Sequence, residues 1–138
     1  MMKNLEKFVI ENKCESSQFK PNEELISEAE KKLKVEFGPQ LKKYLLEYGY
    51  LAYKHIELYG LNSKQGLLSD ICINTENKRN IFPEIKNMVL IENQGDSDYY
   101  LVDDNDNIFR CCPEANIYEN MNIKLFDYIL QRFNGIAD

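Results

Sequence analysis

Residues 88 to 112 hold three short runs rich in aliphatic, aromatic and β-branched residues, at 88–91, 99–102 and 108–112. Gly95-Asp96-Ser97-Asp98 separates the first two, and residues 103–107, Asp-Asp-Asn-Asp-Asn, separate the last two. Runs of that length, bounded by turn-forming residues, predict antiparallel strands joined by tight turns. A three-stranded meander over 88–112 is therefore the element around which the rest must pack. The same stretch carries most of the charge. From Glu92 to Glu119 there are eight acids against one base, Arg110, a net −7 in a chain whose total is −6. The acidity is local.

At 138 residues the chain fits one domain with a real core, so residues 1–138 are taken as a single domain. No run approaches the roughly 20 apolar residues of a membrane span, and no membrane association is expected. The N-terminus has acids inside its only apolar patch and no small-residue cleavage site, unlike a signal peptide. Cys14, Cys72, Cys111 and Cys112 include an adjacent pair and no Cys-x-x-Cys spacing, so reduced thiols in a cytoplasmic protein are expected. A local acidic field repels phosphate backbones. Direct nucleic-acid binding is therefore disfavoured, and a basic protein partner is favoured.

Along the chain, Leu5, Phe8, Val9 and Asn12 fall on one face of a first helix. Asn22 is placed to cap a second, with Glu23 and Glu24 in its first turn and Leu25, Ile26, Ala29 and Leu33 on its apolar face. Pro39 suits the first turn of a third, in which Leu41, Tyr44, Leu45 and Tyr48 recur until Gly49 stops it. Residues 50–61 read as a strand, and 67–79 fit either helix or loop. Pro83 makes 80–87 a connection. After the meander, 113–120 reads as a polar loop. Asn122 is then expected to cap a last helix with Leu125, Phe126, Ile129, Leu130 and Phe133 inward. The prediction is an α+β fold, with N-terminal helices and a C-terminal helix packed around an antiparallel sheet.

Catalytic chemistry is hard to assemble from these residues. His55 has no second histidine to share a metal or a nucleophile, and a structural or surface role is favoured. Cys111 and Cys112 have only Arg110 nearby to lower a thiol pKa, and read more simply as alternating strand residues. Asp103-x-Asn105-x-Asn107 with Glu114 at the twelfth position imitates a calcium loop, but Ile108 stands where its glycine belongs. Asp96 and Asp98 could hold a hydrolytic metal, yet Gly-Asp-Ser-Asp is ordinary turn composition. No catalytic residue, metal site or cofactor is predicted. Residue chemistry points to a binding module, not an enzyme.

Several phrases occur in a familiar order: Phe37-Gly-Pro-Gln-Leu-Lys-Lys-Tyr44-Leu-Leu-Glu-Tyr-Gly49, Glu57-Leu-Tyr-Gly60-Leu, Thr75-x-x-x-Arg79, Met88-Val-Leu-Ile-Glu, Asp98-Tyr-Tyr-Leu-Val-Asp103, Asn107-Ile-Phe and Leu125-Phe-Asp-Tyr-Ile. Together, over about residues 20 to 133, they resemble the SUKH superfamily of Smi/Knr-like domains. The resemblance implies helices around an antiparallel sheet and a role in immunity, in which the protein neutralises a bacterial toxin domain, often a nuclease, delivered by neighbouring cells in contact-dependent inhibition or made by the same cell. The chain departs from the family pattern twice. Many members carry Leu-Pro where this chain has Phe37-Gly38-Pro39, and many carry glycine in the turn formed here by 103–107.

Because partners vary across such a superfamily, the contact residues must come from this chain's own charge map. A nuclease toxin binds phosphate and is commonly basic, so an acidic inhibitor surface would speed and select association. The expected partner-binding residues are Glu92, Asp96, Asp98, Asp103, Asp104, Asp106, Glu114 and Glu119, with Tyr99 or Tyr100 as an aromatic anchor. The alternation of a strand places one of those tyrosines towards the core. The alternative is an intracellular scaffold or regulatory domain, as fungal Smi/Knr-like proteins resemble, with no toxin partner. A metal-dependent hydrolase ranks last.

Overall fold

The computed structural model describes residues 2–61, 69–81 and 83–135. Its first three helices follow the sequence pattern: α1 (Met2–Glu11), α2 (Glu23–Leu33) and α3 (Pro39–Tyr48). Asn22 caps α2 through its side-chain oxygen, which accepts from the Leu25 N–H at 2.8 Å. Pro39 occupies the first turn of α3, where no N–H is needed, and Gly49 ends that helix at φ 74°. Leu41, Tyr44, Leu45 and Tyr48 are all buried.

Residues 50–61, expected as one strand, instead form a hairpin of β2 (Leu51–Tyr53) and β3 (Ile56–Glu57), turned at Lys54 with φ 55°. Its third strand, β1 (Glu15–Ser16), pairs with β2 and comes from a segment too polar to read as a strand. Leu61 returns to α3 by donating to the Gly49 carbonyl at 2.8 Å. A Cβ on Gly60 would fall 1.9 Å from that same oxygen, so only glycine lets the two segments approach this closely. The ambiguous stretch resolves as α4 (Ile71–Ile81), while its first residues, 67 and 68, lie outside the described residues. A 3-10 turn (Pro83–Ile85) connects α4 to the larger sheet.

That sheet has four antiparallel strands in chain order, β4 (Val89–Asn93), β5 (Tyr99–Val102), β6 (Asn107–Cys112) and β7 (Ile117–Lys124). The predicted meander therefore gains a strand. Residues 113–120 are not a loop: a 3-10 turn (Pro113–Ala115) and Asn116 at φ 56° reverse the chain, and β7 pairs with β6. Five of its eight positions are exposed in succession, Tyr118 to Asn122, so neither apolar alternation nor a buried run marks it. The last helix, α5 (Leu125–Asn134), is capped not by Asn122, which lies inside β7 at φ 58°, but from a distance. Lys124 supplies no cap, and the Phe126 N–H donates to Gln40 Oε1 of α3 at 2.9 Å.

The sheet separates two cores. On one face Val89, Ile91, Tyr100, Val102 and Ile108 join the main core with α5 and the N-terminal helices. On the other, Leu90, Leu101 and Cys111 pack with Ile85 and Met88 into a smaller cluster. The outer edge of β4 is closed by three groups. Thr75 Oγ1 accepts from the Leu90 N–H at 2.9 Å, Arg79 donates to the Met88 carbonyl at 3.2 Å and the Tyr59 N–H donates to the Ile91 carbonyl at 2.8 Å. Arg79 also donates to the Leu33 carbonyl at the end of α2, so it ties that helix to the sheet. The other edge, β7, has no strand beyond it among the described residues. It carries a register shift opposite Asn107 and Phe109, and such bulges blunt strand edges.

Candidate functional site

The eight acids expected at a binding surface do not share one fate. Glu92 is only 2% exposed: it faces α5 and accepts from Arg132 Nε at 3.0 and 3.2 Å and from the Tyr128 hydroxyl. That carboxylate is enclosed with its counter-ion, as a buried charge must be. Asp106 is likewise 2% exposed. Its two oxygens accept from the Gln40 and Leu41 N–H groups at 2.9 and 3.0 Å, capping α3 from the β5–β6 turn. These two belong to the interior, so of the eight expected contact acids Asp96, Asp98, Asp103, Asp104, Glu114 and Glu119 are left at least partly exposed.

Asp103 is half-buried and also works locally. Its carboxylate accepts from the Asn105 and Asn107 N–H groups and from Asn107 Nδ2, at 2.8 to 3.1 Å, closing the turn that imitated a calcium loop. Asp104 beside it is exposed. At the opposite end of the sheet, Asp96 is exposed at φ 54°, and Ser97 donates to Glu114 at 3.3 Å, joining the β4–β5 turn to the turn after β6. Asp98 pairs with Arg110 Nε at 2.8 Å, and Glu119 lies 3.7 Å from the same guanidinium. Asp96, Asp98 and Glu114 thus form one acidic end and Asp103 and Asp104 the other. A strand of four to six residues separates them by about 13–20 Å.

The two tyrosines alternate as expected. Tyr100 is buried against α5, its ring stacked on Tyr128 at 5.4 Å. Tyr99 lies on the opposite face, half-buried, with Lys78 Nζ 4.7 Å from its ring centre. Between these, Tyr99 is the tyrosine with surface to offer. Cys111 and Cys112 are buried, and burial pushes the Cys111 thiol up to about 12. His55 is exposed on the β2–β3 turn. Among the described residues, no three His, Cys, Asp or Glu side chains are placed to hold a metal, and no helix is long and apolar enough to cross a membrane.

Sequence reasoning did not find the polar ladder Gln94, Tyr128, Glu92 and Arg132, in which Gln94 Nε2 donates to the Tyr128 hydroxyl at 3.1 Å. Burial pushes the Tyr128 hydroxyl pKa upward, with the Glu92 charge adding to it. Gln94, Tyr128 and Arg132 of this ladder line an open groove of about 800 Å3 between β7 and α5. Its only sequence signal is helical spacing of Tyr128 and Arg132, which cannot say what strand they meet.

Comparison with protein families matches residues 2–133 to SUKH_5, described as SMI1-KNR4 cell-wall. No curated protein matches the chain.

Proposed function

Since the chain belongs to the SUKH superfamily, through its SMI1-KNR4 cell-wall family, we propose that it is a cytoplasmic immunity protein that binds and neutralises a basic toxin domain, a nuclease being the partner its charge fits best. Membership in the family fits a protein-binding role and an immunity-type function in general. The observation that carries the specific reading is the acidity left at the surface once Glu92 and Asp106 turn inward. Asp96, Asp98 and Glu114 gather at one end of the four-stranded sheet, where Arg110 is shared with Glu119. Such a patch attracts a basic partner and repels nucleic acid. No catalytic step is assigned to it.

The test is co-expression with the protein encoded by the preceding gene, scored by survival and by co-purification. Rescue with a stable complex is expected. Charge reversal at Asp96 and Glu114 should then weaken the complex by about tenfold, the equivalent of about 1.4 kcal/mol. Asp106 is unsuitable for that experiment because its loss also uncaps α3. The words "cell-wall" in the family description favour the second reading, an interaction scaffold with no toxin. A harmless neighbour and no rescue would select it.

A further inference from the structure

At the acidic end of the sheet, on the face away from α5, a cleft of about 170 Å3 opens between α4, the 3-10 turn and strands β5 and β6. Its deepest residues, Ile85, Leu101 and Cys111, are at most 2% exposed, and the Tyr99 ring forms one wall. Lys78 and Glu114 stand at the mouth, Lys78 already seated over Tyr99. The hollow exists because Cys111 is small where its cross-strand neighbours, Tyr99 and Tyr118, are large. Walls this apolar offer water few partners, while an engineered apolar cavity of about 150 Å3 in another protein accepts a benzene ring.

The surroundings say what kind of molecule brings that group. Glu114 at the mouth, Asp96 on the adjoining turn and Glu84 on the 3-10 turn are all exposed acids. Burial raises the pKa of the Cys111 thiol on the cleft floor, and the Glu84 charge adds to that shift. Beside the cleft on the same sheet face, Tyr118 is 47% exposed and stacks on Phe109 at 5.8 Å. An apolar pocket of one side chain's volume, edged by aromatic surface, by three acids and by Lys78 held over Tyr99, has the anatomy of an interface hot spot with a polar rim.

We propose that this cleft is the anchor point for the protein partner, receiving one aromatic or branched aliphatic side chain that is flanked in the partner by lysine or arginine. The proposal rests on the reading that the chain binds a basic protein, and deepens it by naming the place and the chemistry of contact. Tyr99 then acts as pocket wall and not as the inserted anchor.

A random peptide display library, selected on the full chain, tests this without any toxin. Enriched peptides should share one Phe, Trp, Leu or Ile beside basic residues. Cys111→Leu, which fills the hollow, should weaken the best peptide at least about tenfold, Glu114→Lys by about three- to tenfold, and Asp104→Lys at the far end by less than about twofold. Should Cys111→Leu not fold, a benzoylphenylalanine at the peptide's anchor position must cross-link to residues 97–101 or 111–114 of the wild-type chain. No enrichment, peptides without an apolar anchor, full affinity in the folded Cys111→Leu variant, or cross-links elsewhere would each overturn the proposal, as would capture of indole in the cleft with no peptide selected. Toxin rescue that persists unchanged in Cys111→Leu would sink the pocket and leave the immunity reading standing. Pocket-dependent peptide binding with no rescue would do the reverse.

Discussion

A Cβ added to Gly38 would lie 2.4 Å from an Asp106 carboxylate oxygen, so these two residues are fitted to one another. They lie within the two segments, 37–39 and 103–107, in which the chain departs from the pattern it otherwise resembles. Asp106 holds φ 65° in the β5–β6 turn, a left-handed position that favours glycine, and its side chain fills the space a residue at 38 would need. Gly38→Ala should therefore destabilise by about 1–3 kcal/mol through overpacking. In an Asp106→Gly background the same change should cost far less, and a urea-denaturation cycle should return a coupling of about 1–3 kcal/mol. Additive effects would mean the contact is slack. The carboxyl also sets a pH dependence. Burial pushes Asp106 above its ordinary 3.8, even against the two amides that favour its charge. Its contribution to folding is then complete below 3.8 and is lost as the pH rises through the raised folded value. Stability of the wild type relative to Asp106→Asn should fall as the pH rises above 3.8 and through the raised folded value. A rise would show the amides outweighing burial. Across the sheet, Arg132→Ala should cost about 2–4 kcal/mol, because it strands the enclosed Glu92 charge, and Glu92→Gln should cost less.

The elements divide by how their information is encoded. α2, α3 and the inward face of α5 were legible because helical spacing, Asn22, Pro39 and Gly49 are local signals. The first three strands of the meander were legible because their turns announce them. β1 and β7 were not, since both are polar edge strands whose place depends on a partner already formed. The phrase Thr75-x-x-x-Arg79 could be matched to a family, but its work is visible only in three dimensions, where one helical turn closes the edge of β4. Glu92 and Asp106 misled for the same reason: composition counts an acid, and only packing places it. The edge closure predicts an asymmetry. Thr75→Val keeps the shape but leaves the buried Leu90 N–H without an acceptor, at about 1–3 kcal/mol. Thr75→Ser keeps the bond and should lose no more than about 1 kcal/mol for the methyl group. Hydrogen exchange at the Leu90 amide distinguishes them, being faster in the valine variant and close to wild type in the serine one. Equal exchange in all three would mean that the amide is protected by burial alone.

At the scale of the whole molecule the sheet is asymmetric. One long edge is sealed by α4, the other is bulged, one face lies beneath α5, and the acidic end formed by Asp96, Asp98 and Glu114 also holds the apolar cleft. A partner bound there, as proposed, would meet two separable forces. Exposed charge acts over about 8–10 Å at physiological salt and governs encounter, whereas a filled apolar pocket acts only after contact and governs escape. Binding kinetics with the partner recovered by co-purification should divide accordingly. Raising salt from about 0.05 to about 0.5 M should cut the association rate about tenfold or more with a small change in dissociation, and Asp96→Lys with Glu114→Lys should flatten that salt dependence. Cys111→Leu should leave the association rate within about twofold and speed dissociation about tenfold. If salt acts mainly on dissociation, the acids are direct contacts in the finished complex and not a steering field. If the cysteine variant slows association instead, the cleft must open before the partner can dock, and the sheet end is not preformed for binding.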